Sequence, residues 1–136
     1  MFTWGNNWPP RGKAGNFADE TAKSKFPHWT KIIEGYKDGY AEAAPVGRFD
    51  ANPYGLYDLS GNVCEWCRDW YGDNYYESSP ASDPQGPDSG EYRVWRGGSW
   101  TIADTDAFRC AYRGNFKPGY RDFALGFRVV YSCPMH

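Results

Sequence analysis

The residues best suited to chemistry are four cysteines, Cys64, Cys67, Cys110 and Cys133, and two histidines, His28 and His136. Cys64 and Cys67 form a C-x-x-C in "CEWCRDW", a spacing used by redox dithiols and by half of a zinc site. A zinc site needs a matching second half, and Cys110 and Cys133 stand alone. A thioredoxin-like dithiol needs a βαβ surround, which the flanking residues do not offer. The thiols therefore read as buried side chains, with one disulfide left open. His28 lies mid-chain and His136 at the last position, so no histidine-carboxylate triad forms in the sequence. "GGSW" is a turn rather than a G-x-S-x-G nucleophile elbow. Arg96, Arg109, Arg113 and Arg128 read as partners of Asp and Glu whose stems cover aromatic rings.

The elements that would position these groups are short. The chain has 136 residues, enough for one domain with one core, here spanning residues 1–136. Aromatics make up 19% of it, and sixteen Gly and ten Pro leave little room for long helices. Residues 18–34 hold a short helix at most, because Pro27 interrupts it. A strand is expected near Val63–Asp69. Period-two alternation predicts further strands at Tyr92–Arg96, Ala107–Arg113 and Gly126–Ser132. In these, Phe108, Cys110 and Tyr112 would share one face, as would Phe127, Val129 and Tyr131. Residues 72–90 form a polar loop with three prolines. Trp66, Trp70, Trp95 and Trp100 read as core, Trp100 lying nearest a loop.

Bulk properties remove several functions. A net charge of −2 provides no polycation for nucleic acid phosphates. No apolar run reaches the ~20 residues of a membrane span. The opening "MFTWGNNWPP" lacks the charged-then-apolar order of a signal peptide. What remains is a set of strands carrying two loops, Thr101–Asp106 and Gly114–Leu125. Fixed strands with permissive loops are a common way to build a binding surface.

The segments "ANPYGLYDLSGNVCEWCRDWY", "RVWRGGSW", "FRCAYR" and "LGFRVV" resemble the signature of the formylglycine-generating-enzyme (sulfatase-modifying-factor) family. "WGNNWPP", "AGNFADE" and "DGYAEAAPVGRF" match it too, in the family's order. The resemblance implies an α+β, loop-rich, C-type-lectin-like fold with a small antiparallel sheet. Two departures stand out. Family enzymes usually carry a longer portion ahead of the "WGN" motif. Their catalytic cysteine pair falls between the Gly-Gly-Ser-aromatic turn and the arginine-rich strand, an interval that here, Thr101–Asp106, has no cysteine. The expectation therefore leans away from an enzyme, and no redox cofactor is expected.

The same flanking motifs also resemble the variable proteins of diversity-generating retroelements, whose C-terminal loops are rewritten at adenines and bind ligands. On that resemblance the ligand face would comprise Trp100, Thr101, Ile102, Ala103, Asp104, Thr105, Asp106, Phe108, Tyr112, Phe116, Tyr120, Asp122 and Phe123. Apart from Trp100, these are residue types that adenine changes in an asparagine codon produce. The implied partner is a protein or cell-surface ligand. The alternative is a formylglycine-generating-type or iron-dependent oxidoreductase fragment.

The family resemblance further implies structural calcium. One site would use the Asn16 and Asp38 side chains with the carbonyls of Phe17 and Tyr40. A second would use the Asp58 and Glu65 side chains with the carbonyls of Gly61 and Val63. Calcium takes six to eight oxygens and accepts loop carbonyls as readily as carboxylates, so it pins loops that no ladder holds. Without calcium at the second site, Asp58 would cap its turn and Glu65 would pair with an arginine.

Overall fold

A computed structural model describes residues 1–131. In chain order the elements are helix α1 (Glu20–Lys25), strand β1 (Cys64–Trp70), helix α2 (Tyr75–Ser78), strand β2 (Arg93–Arg96), a 3-10 helix (Thr105–Phe108) and strands β3 (Gly114–Phe116) and β4 (Leu125–Gly126). The sheet order is β3-β2-β1-β4. Everything between is ordered loop. No helix among the described residues is long and apolar enough to cross a membrane.

Helix α1 starts where Asp19 takes backbone N–H bonds from Thr21 (2.7 Å) and Ala22 (2.9 Å). A short acceptor satisfies the orphan donors of a first turn in this way. The helix stops at Phe26, one residue before Pro27, which cannot continue it. β1 and β2 pair antiparallel, with Glu65 opposite Arg96 and Trp66 opposite Trp95, and lose register before Trp70 meets Arg93. β3 adds antiparallel to β2, with Gly114 opposite Trp95. Gly114 is a fit requirement: a Cβ there would lie 2.0 Å from the Trp95 indole.

Three sequence expectations need correction. β4 pairs parallel to β1 (Cys64 with Leu125, Glu65 with Gly126), so the small sheet is mixed rather than antiparallel. Ala107–Arg113 is not a strand. Asp104 caps the 3-10 helix there by accepting from the Asp106 N–H (3.0 Å), and turns follow to Arg113. Of this segment only the adjacent Ala107 and Phe108 are buried, so there is no alternating face. The segment expected at Gly126–Ser132 is a strand only at its first residue. Arg128 anchors it instead to Glu65 and to the Tyr57 and Asp58 carbonyls, leaving Phe127, Val129 and Tyr131 exposed. Ser132, Cys133 and His136 lie outside the described residues.

The core is aromatic and built from loops. Phe2, Phe17, Ile33, Tyr36 and Phe108 form its centre, with Trp4, Ala14, Ile102 and Ala103 packed against them. Phe17 meets Phe108 edge-on, with ring centroids 4.5 Å apart. Burying a ring such as Phe108 contributes about 2–3 kcal/mol. The Gly97-Gly98 turn makes room for it. Gly98 sits at φ +68°, and a Cβ on it would fall 2.4 Å from the Phe108 ring.

Candidate functional site

The Gly97-Gly98 turn delivers the chain from β2 into the first loop. Ser99 is buried, and its hydroxyl bonds the Thr101 hydroxyl (2.8 Å) and accepts from the Thr101 N–H (3.3 Å). The Trp100 N–H donates to the Asn62 carbonyl (3.0 Å), and the Ile102 carbonyl accepts from the Ala18 N–H (3.1 Å). The loop backbone is thus tied down at two points. Past them the side chains turn outward: Asp104 and Asp106 are exposed, with Thr101 and Thr105 partly so. Arg109 closes back on Asp106 at 2.7 Å.

The second loop leaves β3. Phe116 stacks on Trp95 (5.6 Å) and Tyr120 stacks on Phe116 (4.2 Å), so an aromatic ladder climbs from the sheet to the loop surface. A turn at Pro118-Gly119 is closed by the Tyr120 N–H donating to the Lys117 carbonyl (2.9 Å). Asp122 holds the exit by accepting from the Ala124 N–H (2.8 Å). Phe123 reaches across to the first loop, 5.6 Å from Trp100. The two loops therefore share one face.

Not every expected ligand residue lies on that face. Phe108 is 1% exposed and belongs to the core, because the chain there is helical and turns the ring inward. Trp100 is buried beneath the face, and Ile102 and Ala103 pack on the core. Thr101, Asp104, Thr105, Asp106, Tyr112, Phe116, Tyr120, Asp122 and Phe123 remain fully or partly accessible. Burial raises the Tyr112 hydroxyl pKa, and Asp104 adds to the rise. Two contributors had no part in the sequence reading. Trp29 stacks on Trp100 (5.8 Å) and Phe26 on Trp29 (4.9 Å), carrying the aromatic surface onto the end of α1. The aromatics flanking Pro27 in "KFPHW" were the available signal.

The arginines divide into two kinds. Arg109 and Arg128 meet carboxylates, as expected. Arg96 instead donates to the Cys110 (2.9 Å) and Tyr112 (2.8 Å) carbonyls, and Arg113 to the Gly72 carbonyl (3.0 Å). Arg96 thus holds the turn between the loops by its backbone, and Arg113 ties that turn to the segment after β1. Among the described cysteines none is bridged. Cys64 and Cys67 stand three apart on a strand, where alternate side chains leave opposite faces. Burial pushes the Cys64 thiol up to about 11 and also raises Cys67, which Arg96 partly offsets. Among the described residues no group of three or more His, Cys, Asp or Glu side chains is placed to hold a metal. His28 is exposed beside Phe26.

The two calcium sets fare differently. Asn16 is fully buried, and its Oδ1 has no hydrogen-bond partner. Its amide nitrogen is committed to the Glu42 carbonyl (2.8 Å) and to Asn62 Oδ1 (3.3 Å), which fixes the orientation. Asp38 accepts from the Phe17 (2.9 Å) and Tyr40 (2.7 Å) N–H groups. Burial lifts its carboxyl pKa to about 6. An orphaned buried carbonyl oxygen and a desolvated carboxylate are a donor set that calcium fits. The second set does not fit as it stands. Asp58 Oδ1 is also without a partner, but both Glu65 oxygens are held by Arg128 at 2.6 Å. The guanidinium also takes the Asp58 carbonyl (2.9 Å), so it occupies the place of a cation. A cavity of about 530 Å³ opens beside it, walled by Val46, Leu56, Tyr57, Val63 and Phe127.

Short helices, a small mixed sheet and long pinned loops define a C-type-lectin-like domain with one loop-built face. The chain belongs to the family of sulfatase-modifying factor enzyme 1-like domains, whose profile matches residues 1–133. It is 36% identical over 131 residues to a formylglycine-generating enzyme of Streptomyces coelicolor, covering 95% of this chain and 40% of that protein. It is 50% identical over 92 residues to the serine/threonine-protein kinase pkn1 of Chlamydia caviae, covering 66% of this chain and 15% of that one. Among solved structures it is similar to variable protein 1 of Treponema denticola (TM-score 0.55, 40% identity, 68% of this chain and 33% of that one). PvdO of Pseudomonas aeruginosa is also similar (TM-score 0.66, 26% identity, 93% and 43%). The chain thus spans less than half the length of each of these relatives.

Proposed function

We propose that this domain is a ligand-binding display module. Its loops 101–106 and 116–123 recognise a protein or cell-surface ligand, and calcium at Asn16 and Asp38 serves the fold. The observation that carries the reading is the meeting of the two loops through Trp100 and Phe123, with backbones pinned and side chains turned outward. Aromatic anchors such as Tyr112, Tyr120 and Phe123 offer large contact area at low entropy cost. The likeness to a variable protein supports the same view.

The test is a loop library. Asp106, Tyr112, Tyr120 and Phe123 are randomised together, displayed on yeast and panned against lysozyme as a probe protein. The reading expects folded, thermally intact members and lysozyme binders among them. A library in which most members fail to fold would sink it.

The oxidoreductase-fragment reading has one observation in its favour, the 36% identity to formylglycine-generating enzymes. It requires a thiol pair able to bind copper(I). Tight stoichiometric copper binding that is lost in Cys64→Ser or Cys67→Ser would favour it over display.

A further inference from the structure

We infer that a divalent cation at Asn16 and Asp38 controls the order of the first display loop, so that the face is calcium-dependent although no cation ligand lies on it. The consequence for ligand capture rests on the display reading above; the coupling itself does not.

The argument begins with charge. Asp19 and Asp38 are adjacent, the Asp38 N–H donating to Asp19 Oδ2 at 2.5 Å. Asp19 is fully buried. Among the described residues no lysine, arginine or histidine pairs with either carboxylate: Lys37 goes to Glu20 and Lys25 to Glu42. Asn16 precedes Phe17, whose N–H binds Asp38, and its fully buried Oδ1 has no donor. Asp19 is committed to the first turn of α1, but the Asp38 carboxylate and the orphaned Asn16 oxygen have no side-chain cation, and these are oxygens that a bound cation would take.

The three residues Asn16-Phe17-Ala18 touch both this set and the loop. The Phe17 N–H binds Asp38. The next N–H, of Ala18, donates to the Ile102 carbonyl. The Asn16 carbonyl accepts from the Asn62 N–H (2.8 Å), and the Asn62 carbonyl accepts from the Trp100 N–H (3.0 Å). Asn62 is held for this relay at φ 61°, with its side chain bonded to both backbone groups of Ala44. Two backbone paths therefore run from the cation ligands to the loop, at Trp100 and at Ile102. Within the loop, the backbone bonds over this stretch come from Ser99. The second loop takes no bond from residues 16–18 and is an internal control.

The experiment is hydrogen–deuterium exchange on the full chain without ligand, after chelation and again with calcium, with isothermal titration to measure binding. Calcium should slow exchange in peptides carrying Ala18 and Trp100 by about tenfold. Exchange over 117–123 should be unchanged. Asp38→Asn, nearly isosteric, should abolish both binding and protection. Absence of calcium binding overturns the inference, and so does binding that leaves Ala18 and Trp100 unprotected. A loop library that yields no binders would sink the display reading and leave this exchange result standing.

Discussion

The indole of Trp100 is buried, and 5.6 Å away the ring of Phe123 is 74% exposed. One ring belongs to the scaffold and the other to the surface, although they touch. Trp100→Ala should cost about 3–5 kcal/mol of stability, as truncation of a large buried aromatic does. Phe123→Ala should stay within about 0.5 kcal/mol. Urea denaturation of the two variants measures the contrast. Equal losses would place Phe123 in the core and remove it from the face.

The turn before the loop should tolerate no side chain. Gly98 combines φ +68° with a Cβ position 2.4 Å from the Phe108 ring. Gly98→Ala should therefore lose about 2–4 kcal/mol from backbone strain and overpacking together. Gly119, where an added Cβ meets nothing within 4 Å, provides the comparison. A thermal melt showing Gly98→Ala no worse than Gly119→Ala would contradict the packing at the turn.

Stability should fall on the alkaline side. Burial raises Tyr36 from an ordinary 10.0 to about 12, and Cys64 from 9.0 to about 11. Between those values the folded protein keeps protons that the unfolded chain has lost. The slope of unfolding free energy with pH is then negative. The contribution is complete below pH 9 and is lost as pH rises toward 12. Cys64→Ala should flatten the lower part of that fall and Tyr36→Phe the upper part. Urea midpoints from pH 8 to 11 would reveal a rising curve if the sign were wrong.

Thiol reactivity should follow burial rather than the C-x-x-C motif. Cys110 is exposed, whereas Cys64 is buried with its thiol pushed up to about 11. A rise of this size lowers the thiolate fraction about hundredfold at neutral pH. Peptide-level mass spectrometry after brief iodoacetamide treatment should find Cys110 modified and Cys64 intact. Preferential labelling of Cys64 would instead indicate an activated thiol.

What the sequence made legible was local. β1 and β2 lie within a residue of their expected places, because "VCEWCRDW" and "YRVWR" combine β-formers with tryptophans that pack across the pair. Helix α1 was legible from Pro27. The face was readable as two loops, and most of its accessible residues with it. Phe108 was misplaced because alternation cannot distinguish a strand from a capped 3-10 helix that buries one ring. β4 was overextended because Arg128 draws the chain toward Glu65, a long-range contact that no window of sequence contains. Phe26 and Trp29 join the face only through folding, some seventy residues before Trp100 in the chain.

The cap at Asp104 sets a limit on the face. Its carboxylate closes the turn that feeds Phe108 inward, so not every residue type can stand at this site. Only short acceptors such as Asn, Ser or Thr would preserve the turn. A repertoire drawn on this scaffold should therefore show a spelling rule at position 104 and free choice at Tyr120 and Phe123.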